Sequence, residues 1–139
     1  MTAEVPECRE CFYPDGRLQA RRFWLNGKLC NTDGPAVEDL DPNGRLVRRV
    51  FWVNDTLHKT DGPAVEYWND QGQLTYHAFY VNGEKLTEED FRAWQERQQR
   101  KRELRALVFA LEHKFPAEAP EREFLRHILP AHVAGEAAT

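Results

Sequence analysis

The sequence predicts an α+β protein in which a repetitive antiparallel β-meander precedes a C-terminal helical hairpin. Three observations support this prediction: a 28-residue segment recurs along the chain, seven of the eight glycines lie between Gly16 and Gly83, and residues 84–134 contain no glycine. Because turn-forming glycines recur only in the N-terminal part of the chain, the N-terminal and C-terminal parts are predicted to have different secondary structure. We predict a β-repeat sheet over 1–86, helices that pack on or cap the sheet over 87–130, and a flexible tail over 131–139.

The repeat gives the strands of the predicted sheet. Residues 14–41 and 42–69 are identical at 16 of 28 positions without a gap, and a third copy over 70–86 keeps the turns and the aromatic positions. Asp-Gly and Asn-Gly pairs tolerate the positive φ of tight turns, so successive segments should be antiparallel neighbours. Each unit is therefore predicted as a three-stranded meander, and the region as roughly nine short strands in one sheet.

The long strand of each unit carries aromatic residues on both faces. Alternation places two ladders on opposite faces of the sheet, Phe23/Phe51/Phe79 on one and Trp24/Trp52/Tyr80 on the other. A sheet with large apolar groups on both faces needs cover on both sides, or leaves one face free for a partner. The sequence leaves both possibilities open.

Two arginines and a histidine at equivalent positions of the three units suggest a binding surface. Arg21, Arg49 and His77 share a strand face with the phenylalanines. Arginine and aromatic residues are favoured at protein interfaces, but arginine stems also cover aromatic rings at a solvated face. The candidate protein-binding residues are Arg21, Trp24, Arg49, Trp52, His77 and Tyr80.

One motif carries a family resemblance. F-W-x-N-x-x-L-x-x-T-D-G-P-A-V-E, present at 23–38 and 51–66, resembles the MORN-type repeats, specifically the bacterial, phage and giant-virus variants with W-x-N-G-x-L-H-R-x-D-G-P-A units. The resemblance covers about residues 10–86. It implies an elongated scaffold of β-hairpins that binds proteins, dimerises or contacts phospholipid, and it implies no reaction. We therefore expect a non-enzymatic protein-binding module, such as a phage or bacterial inhibitor or antitoxin-like protein that occludes a partner protein.

The helical part begins where the third unit loses its next turn. Thr87 is followed by three acids, a pattern that predicts a helix N-terminus. No proline or glycine lies between Thr87 and Pro116, so one helix of about 27 residues is expected. Phe91 and Trp94, near its start, are predicted to close the open end of the sheet. Residues 95–103 contain no aliphatic or aromatic residue, so the helix is either solvated there or broken. A second helix is predicted at about 121–129.

A basic segment of the first helix is the second candidate site. Five cations against two acids give residues 95–105 a net charge of +3. Such a helix can contact nucleic-acid phosphates or an acidic partner, whereas i,i+4 ion pairs favour an ordinary solvated helix. A nucleic-acid-contacting accessory protein is thus the alternative function. The residues are Arg97, Arg100, Lys101, Arg102 and Arg105.

Several functions lack support in the sequence. The chain contains no serine, which excludes a serine nucleophile, and its cysteines, histidines and acids show no catalytic spacing. We predict no catalytic residue, cofactor or metal. A zinc site would need Cys8, Cys11, Cys30 and His58 to converge, although Cys8 and Cys11 should lie on opposite faces of a regular strand.

The expected environment is the cytoplasm, or the host cytoplasm for a phage-encoded protein. No apolar run approaches the ~20 residues that span a bilayer, and residues 1–6 do not resemble a signal peptide. Membrane insertion is therefore not expected. The exposed edge of the N-terminal strand allows a homodimer through the sheet edge or the helices.

Overall fold

A computed structural model describes residues 4–114 together with residues 120 and 123. Over this part of the chain it has the predicted α+β class, with an antiparallel β-meander followed by one helix. The elements are β1 (Glu7–Phe12), β2 (Leu18–Leu25), β3 (Lys28–Leu29), β4 (Val37–Leu40), β5 (Leu46–Val50), β6 (Trp52–Val53), β7 (Thr56–Leu57), β8 (Val65–Trp68), β9 (Leu74–Val81), β10 (Glu84–Leu86) and α1 (Glu88–Lys114).

Eight of these strands form one sheet. Their order is β1-β2-β4-β5-β8-β9-β10, with β3 also paired to β2, while β6 and β7 form a separate two-stranded pair. All of the pairs are antiparallel. Because the sheet order follows the chain order, residues one repeat apart lie on nearby strands of the same sheet.

The strand that returns beside β2 is interrupted. Leu29 of β3 lies opposite Trp24, and Val37 of β4 lies opposite Arg22, so β3 and β4 follow each other along one side of β2. The loop between them is held by the Asn31 side chain, whose amide donates to Pro35 O at 3.1 Å. The first unit was predicted as a meander of three strands, each beside the next. In the structure, β2 is one long strand, and β3 and β4 together form a single return strand that a loop interrupts.

Backbone hydrogen bonds recur with the same period as the sequence. Ala36 N donates to Val50 O at 3.0 Å, and one repeat further along the chain Ala64 N donates to Ala78 O at 2.9 Å. Asn26-Gly27 has positive φ at both residues, 51° and 76°, as the sequence predicts for a tight turn.

Two other predicted tight turns, at the Asp-Gly pairs of the first and second units, lack the positive φ seen at Asn26-Gly27. The Asp-Gly pairs at 33–34 and 61–62 were expected to use positive φ, but neither Gly34 nor Gly62 has it. These glycines lie in the wider loops that interrupt the return strand, so no left-handed residue is needed there.

The core of the sheet is a row of small apolar side chains on four adjacent strands. Val37, Val50, Val65 and Ala78 lie opposite one another in turn and are at most 9% exposed. Leu29, Trp52, Leu57 and Tyr80 pack against this row. We call the side of the sheet that carries it the valine face.

The helix begins as predicted. Thr87 Oγ1 accepts a hydrogen bond from Asp90 N at 3.1 Å, and Thr87 O accepts one from Phe91 N at 2.9 Å. Helix α1 has 27 residues and continues through 95–103 without a break. Phe91 is 3% exposed and its ring stacks on Phe79 at 4.6 Å, in agreement with its predicted place at the end of the sheet.

The chain divides into two compact units between Phe91 and Arg92, five residues after the predicted end of the sheet region. The predicted second helix at 121–129 and the tail over 131–139 lie outside the described residues, apart from position 123. Packing of the helices on the sheet stays a prediction. Within the part of the chain that the structure describes, no helix is both long enough and apolar enough to cross a membrane.

Candidate protein-binding face

A row of alternating acidic and basic side chains crosses the sheet. Each member lies directly opposite the next on the neighbouring strand, from β1 through β2, β4, β5 and β8 to β9. We call this row the charge ladder, and the side of the sheet that carries it the ladder face. Opposite charges at directly facing positions stabilise a sheet and fix its register. The members are Glu10, Arg21, Glu38, Arg49, Glu66 and His77.

Arg21 contacts the acids on both neighbouring strands. Its Nε lies 3.0 Å from Glu10 Oε1, and its Nη1 lies 3.5 Å from Glu38 Oε2. The Arg21 side chain is 37% exposed, so solvent screens both ion pairs. These pairs orient the guanidinium group and add little to stability.

Arg49 is held more firmly. Its Nε donates to Glu66 Oε2, and Glu66 is buried. The guanidinium carbon lies 5.7 Å from the centre of the Phe51 ring and 5.3 Å from that of Trp68, both within cation–π distance. The Arg49 side chain nevertheless remains 36% exposed. One carboxylate and two aromatic rings therefore fix a cationic group that solvent can still reach.

The six predicted binding residues do not share one surface. Arg21, Arg49 and His77 lie in the charge ladder. Trp24, Trp52 and Tyr80 occupy the opposite face by strand alternation and are half-buried, and Trp52 and Tyr80 pack on the valine row. Arg49 over two aromatic rings agrees with the alternative interpretation, in which arginines cover the rings of their own face.

A shallow depression adjoins the charge ladder. Its volume is about 470 Å³, and its lining includes the two equivalent loops at 31–34 and 58–61 together with Phe51. Lys59 Nζ lies 4.1 Å from the centre of the Phe51 ring. The depression thus places an aromatic ring and an ammonium group beside Arg49.

The basic residues of α1 are exposed. At 100° per residue, Arg97, Arg100, Lys101 and Arg105 fall within an arc of about 140°, and Arg102 lies outside it. One ordinary helical contact, from Gln99 Nε2 to Glu103 Oε1 at 2.8 Å, lies in the same segment. The helix therefore presents four cations on one side.

The cysteines and His58 occupy separate environments. Cys8 lies opposite Phe23 and Cys11 opposite Ala20, so the two exposed thiols are on different faces of β1, as predicted for a regular strand. Cys30 is buried, and His58 Nδ1 accepts a hydrogen bond from Asn82 N at 3.0 Å. Among the described residues, no three His, Cys, Asp or Glu side chains lie close enough to hold a metal ion.

The acids of the charge ladder are the residues of this candidate face that sequence reasoning missed. Glu38 and Glu66 end the repeated Ala-Val-Glu segment, and Glu10 stands one full repeat length before Glu38. The recurrence of these glutamates at the repeat spacing could have identified them from the sequence. Ion pairs join Arg21 to Glu10 and Glu38, and Arg49 to Glu66, and only the register shows that each acid lies opposite an arginine or a histidine.

Comparison with known proteins gives no match to any protein-family model, to any curated protein or to any solved structure.

Proposed function

We propose that this chain is a non-enzymatic protein-binding module that contacts its partner through the ladder face. The observation that carries the proposal is Arg49, which is fixed by Glu66, Phe51 and Trp68 and yet is 36% exposed. An arginine that is already ordered loses little side-chain entropy when a partner binds. Arginine beside aromatic rings is also the type of residue that dominates binding energy at protein interfaces.

The charge pattern of the ladder defines the kind of partner. Three acids alternate with two arginines and one histidine, so the face has no strong net charge. A partner gains affinity here from matched polar contacts around Arg49 and the depression beside Phe51, and little from long-range attraction. We therefore propose a folded protein with a mixed polar and aromatic surface, and neither a polyanion nor a lipid surface.

The sequence resemblance gives this proposal its more specific form. About three 28-residue MORN-like units would build the scaffold, and the protein would act in the cytoplasm as an inhibitor that occludes the surface of its partner. The recurrence of backbone hydrogen bonds from one unit to the next supports the repeat interpretation. The inhibitory role depends on the resemblance alone.

The experiment is a pull-down from the organism that encodes the chain, with two matched variants. Arg21→Ala/Arg49→Ala removes two cations from the ladder face, whereas Arg22→Ala/Arg48→Ala removes their sequence neighbours on the opposite face. A partner captured by the wild type and by the second variant, but lost from the first, supports the proposal. Equal capture by both variants, or equal loss from both, contradicts it.

The exposed cations of α1 favour one second candidate, an accessory protein that contacts nucleic acid. Neutralising phosphates releases counterions, so such binding weakens steeply as salt rises. Binding of a duplex or single strand that falls at least tenfold between about 50 and 200 mM salt, and that Arg100→Ala/Lys101→Ala reduces further, would support it. Binding that is absent or insensitive to salt would exclude it.

A further inference from the structure

A second row of side chains lies on the valine face, beside the row of valines. Its members lie opposite one another in turn on β4, β5, β8 and β9, and they are Asp39, Arg48, Tyr67 and Tyr76. Each stands two residues along its strand from a member of the valine row, so alternation places all four on the same face. We call these four residues the tyrosine row. Unlike the buried valines, all four reach solvent.

The two tyrosines provide neighbouring aromatic rings on an exposed surface. Tyr67 is 37% exposed and Tyr76 is 44% exposed. Their ring centres are 5.6 Å apart, and the ring planes are tilted by 55°. Leu74, two residues before Tyr76 on the same face of β9, is also exposed. Aromatic rings on neighbouring strands of a sheet are surfaces on which unstacked nucleobases stack.

Two arginines share one carboxylate beside the tyrosines. Arg22 Nη2 lies 2.6 Å from Asp39 Oδ1, and Arg48 Nε lies 2.6 Å from Asp39 Oδ2. Arg22 is fixed further, because its Nη1 donates to the backbone carbonyls of Arg21 and Glu38, each at 3.0 Å. The Arg22 and Arg48 side chains remain 28% and 35% exposed. One acid thus orients two cations and neutralises only one of the two charges.

A third cation makes this surface positive. Lys85 on β10 lies opposite Tyr80, which places it on the valine face. Its Nζ lies 3.5 Å from Tyr76 Oη and 5.9 Å from the centre of that ring. With the two arginines and the one aspartate, it gives the surface a local charge of +2, whereas the whole chain carries −4. Arg9, on the same face, is balanced by Glu7 at 2.9 Å and adds nothing.

We propose that this surface binds single-stranded nucleic acid. Bases stack on Tyr67 and Tyr76, and phosphate oxygens accept hydrogen bonds from the two guanidinium groups and from Lys85. From Arg22 on β2 to Tyr76 on β9 the surface crosses five adjacent strands, which is ~19 Å at ~4.8 Å per step. That length accommodates a few nucleotides of an extended strand.

The two rings favour a single strand over other anionic partners. In a duplex the bases stack on one another, so the tyrosines have no free base to contact. An acidic polypeptide satisfies the cations but has no flat base to place on the rings. Only a single strand supplies phosphates and unstacked bases together.

This site is independent of the proposed partner-binding role. It lies on the valine face, whereas the proposed partner contacts the ladder face on the other side of the same sheet. It also differs from the basic segment of α1, because residues 95–105 contain no aromatic residue. Each of the three sites can therefore fail without the others.

Fluorescence anisotropy of labelled oligonucleotides tests the proposal on the full chain. The probes are oligo(dT) and oligo(U) of about 20 nucleotides, longer than the ~4–16 nucleotides that one small domain covers, and a duplex of the same length. At least one single strand should bind about tenfold more tightly than the duplex. A tighter complex with oligo(U) would identify RNA as the ligand, through its 2′-hydroxyl groups, and a tighter complex with oligo(dT) would identify DNA. Duplex binding that equals or exceeds single-strand binding contradicts the proposal.

A matched pair of variants tests the rings. Tyr67→Thr/Tyr76→Thr keeps residues that favour strands but removes both rings, so it should weaken single-strand binding at least about tenfold. Tyr67→Phe/Tyr76→Phe retains both rings and should stay within about twofold of the wild type. Equal affinities of the threonine variant and the wild type would overturn the proposal.

Salt dependence tests the cations. Each phosphate contact on a single strand contributes ~0.7 to the slope of log affinity against log salt, so Arg22→Ala/Arg48→Ala should make the slope shallower by about 1.4. Arg21→Ala/Arg49→Ala, on the ladder face of the same strands, should leave the slope unchanged. A slope that only Arg100→Ala/Lys101→Ala reduces would assign binding to α1 and overturn the proposal. Equal affinity for polyglutamate would overturn it as well.

A cross-link on the wild type keeps the test valid if a variant is unfolded by circular dichroism. Ultraviolet irradiation of the complex with oligo(U), followed by mass spectrometry, should locate adducts on the peptides that contain Tyr67 or Tyr76. Adducts confined to peptides of α1 or to residues of the ladder face would contradict the proposed site.

Discussion

The buried carboxylate of Glu66 accepts a hydrogen bond from Arg49 Nε at the centre of the charge ladder. Removing the charge from Glu66 leaves the guanidinium group between two aromatic rings without its acid. We predict that Glu66→Gln lowers the free energy of unfolding by about 1–2 kcal/mol, because the lost pair is partly desolvated. Urea denaturation measures the change.

The control for this prediction is the outermost acid of the same row. Glu10 also faces an arginine, but its side chain is 38% exposed. Glu10→Gln should change the free energy of unfolding by less than about 0.5 kcal/mol. Equal effects of the two variants would show that burial of Glu66 does not strengthen its ion pair.

Substitutions of Asp55, in the turn at Asn54-Asp55, can separate the loss of a hydrogen bond from the relief of backbone strain. Asp55 has φ of 59°, and its carboxylate accepts a hydrogen bond from Leu29 N at 2.6 Å. Gly27 and Gly83 occupy the equivalent position in the other two turns. Asp55→Ala loses the hydrogen bond and keeps the strained φ, so it should cost about 1–2 kcal/mol of unfolding free energy.

Asp55→Gly is the matched variant. It loses the same hydrogen bond but relieves the strain of the left-handed conformation, so the net change should stay within about 0.5 kcal/mol. Thermal or urea unfolding ranks the two substitutions. A glycine variant less stable than the alanine variant would contradict this account of the turn.

The N-terminus of α1 depends on one hydroxyl group. Thr87→Ala removes the acceptor for Asp90 N and should cost about 1 kcal/mol in the free energy of unfolding, with a matching loss of helical signal in circular dichroism. Thr87→Ser keeps the hydroxyl and should retain most of the stability. Thr32→Ala, in an exposed loop, is a control expected to have little effect.

Asp41 gives the fold a dependence on pH. Its carboxylate accepts hydrogen bonds from the backbone amides of Arg45 and Asn43, and these bonds, with that from Arg45 foremost, hold the pKa of Asp41 below its ordinary value of 3.8. A pKa that is lower in the folded state stabilises the protein above the unfolded pKa, and this contribution is lost as the pH falls through the folded value.

Asn69 shows which substitution isolates this effect. It occupies the position equivalent to Asp41 and accepts the same two amide bonds, from Gln71 and Gln73, through an uncharged side chain. Asp41→Asn should therefore keep the turn at pH 7 and lose less stability than the wild type below about pH 4. Urea midpoints at pH 7 and pH 3 test this, and parallel losses in both proteins would contradict it.

Features set by local chemistry could be predicted from the sequence. The left-handed turn at Asn26-Gly27 and the start of α1 after Thr87 follow from residues within a few positions of one another, and the α+β class follows from where turn residues lie along the chain. The interrupted return strand could not be predicted this way. Asp33-Gly34 looks like the other turns, and its different geometry depends on Asn31, whose backbone amide bonds to Trp52 O of the next unit.

The candidate site was predicted only in part for the same reason. Alternation along one strand places Arg21 and Trp24 on different faces, so the six candidates divide into two sets. The acids that pair with the arginines come from other strands. Only the cross-strand register, which places Glu38 between Arg21 and Arg49, shows that the cationic column is a charge ladder.

The affinity of the captured partner tests the central claim most directly. Calorimetric titration of that partner with the wild type and with both double variants compares the two faces of the same strands. Arg21→Ala/Arg49→Ala should weaken binding at least tenfold, and Arg22→Ala/Arg48→Ala should leave it within about threefold, with both variants folded. An unchanged affinity for the ladder-face variant, or a larger loss for the opposite-face variant, would contradict binding through the ladder face.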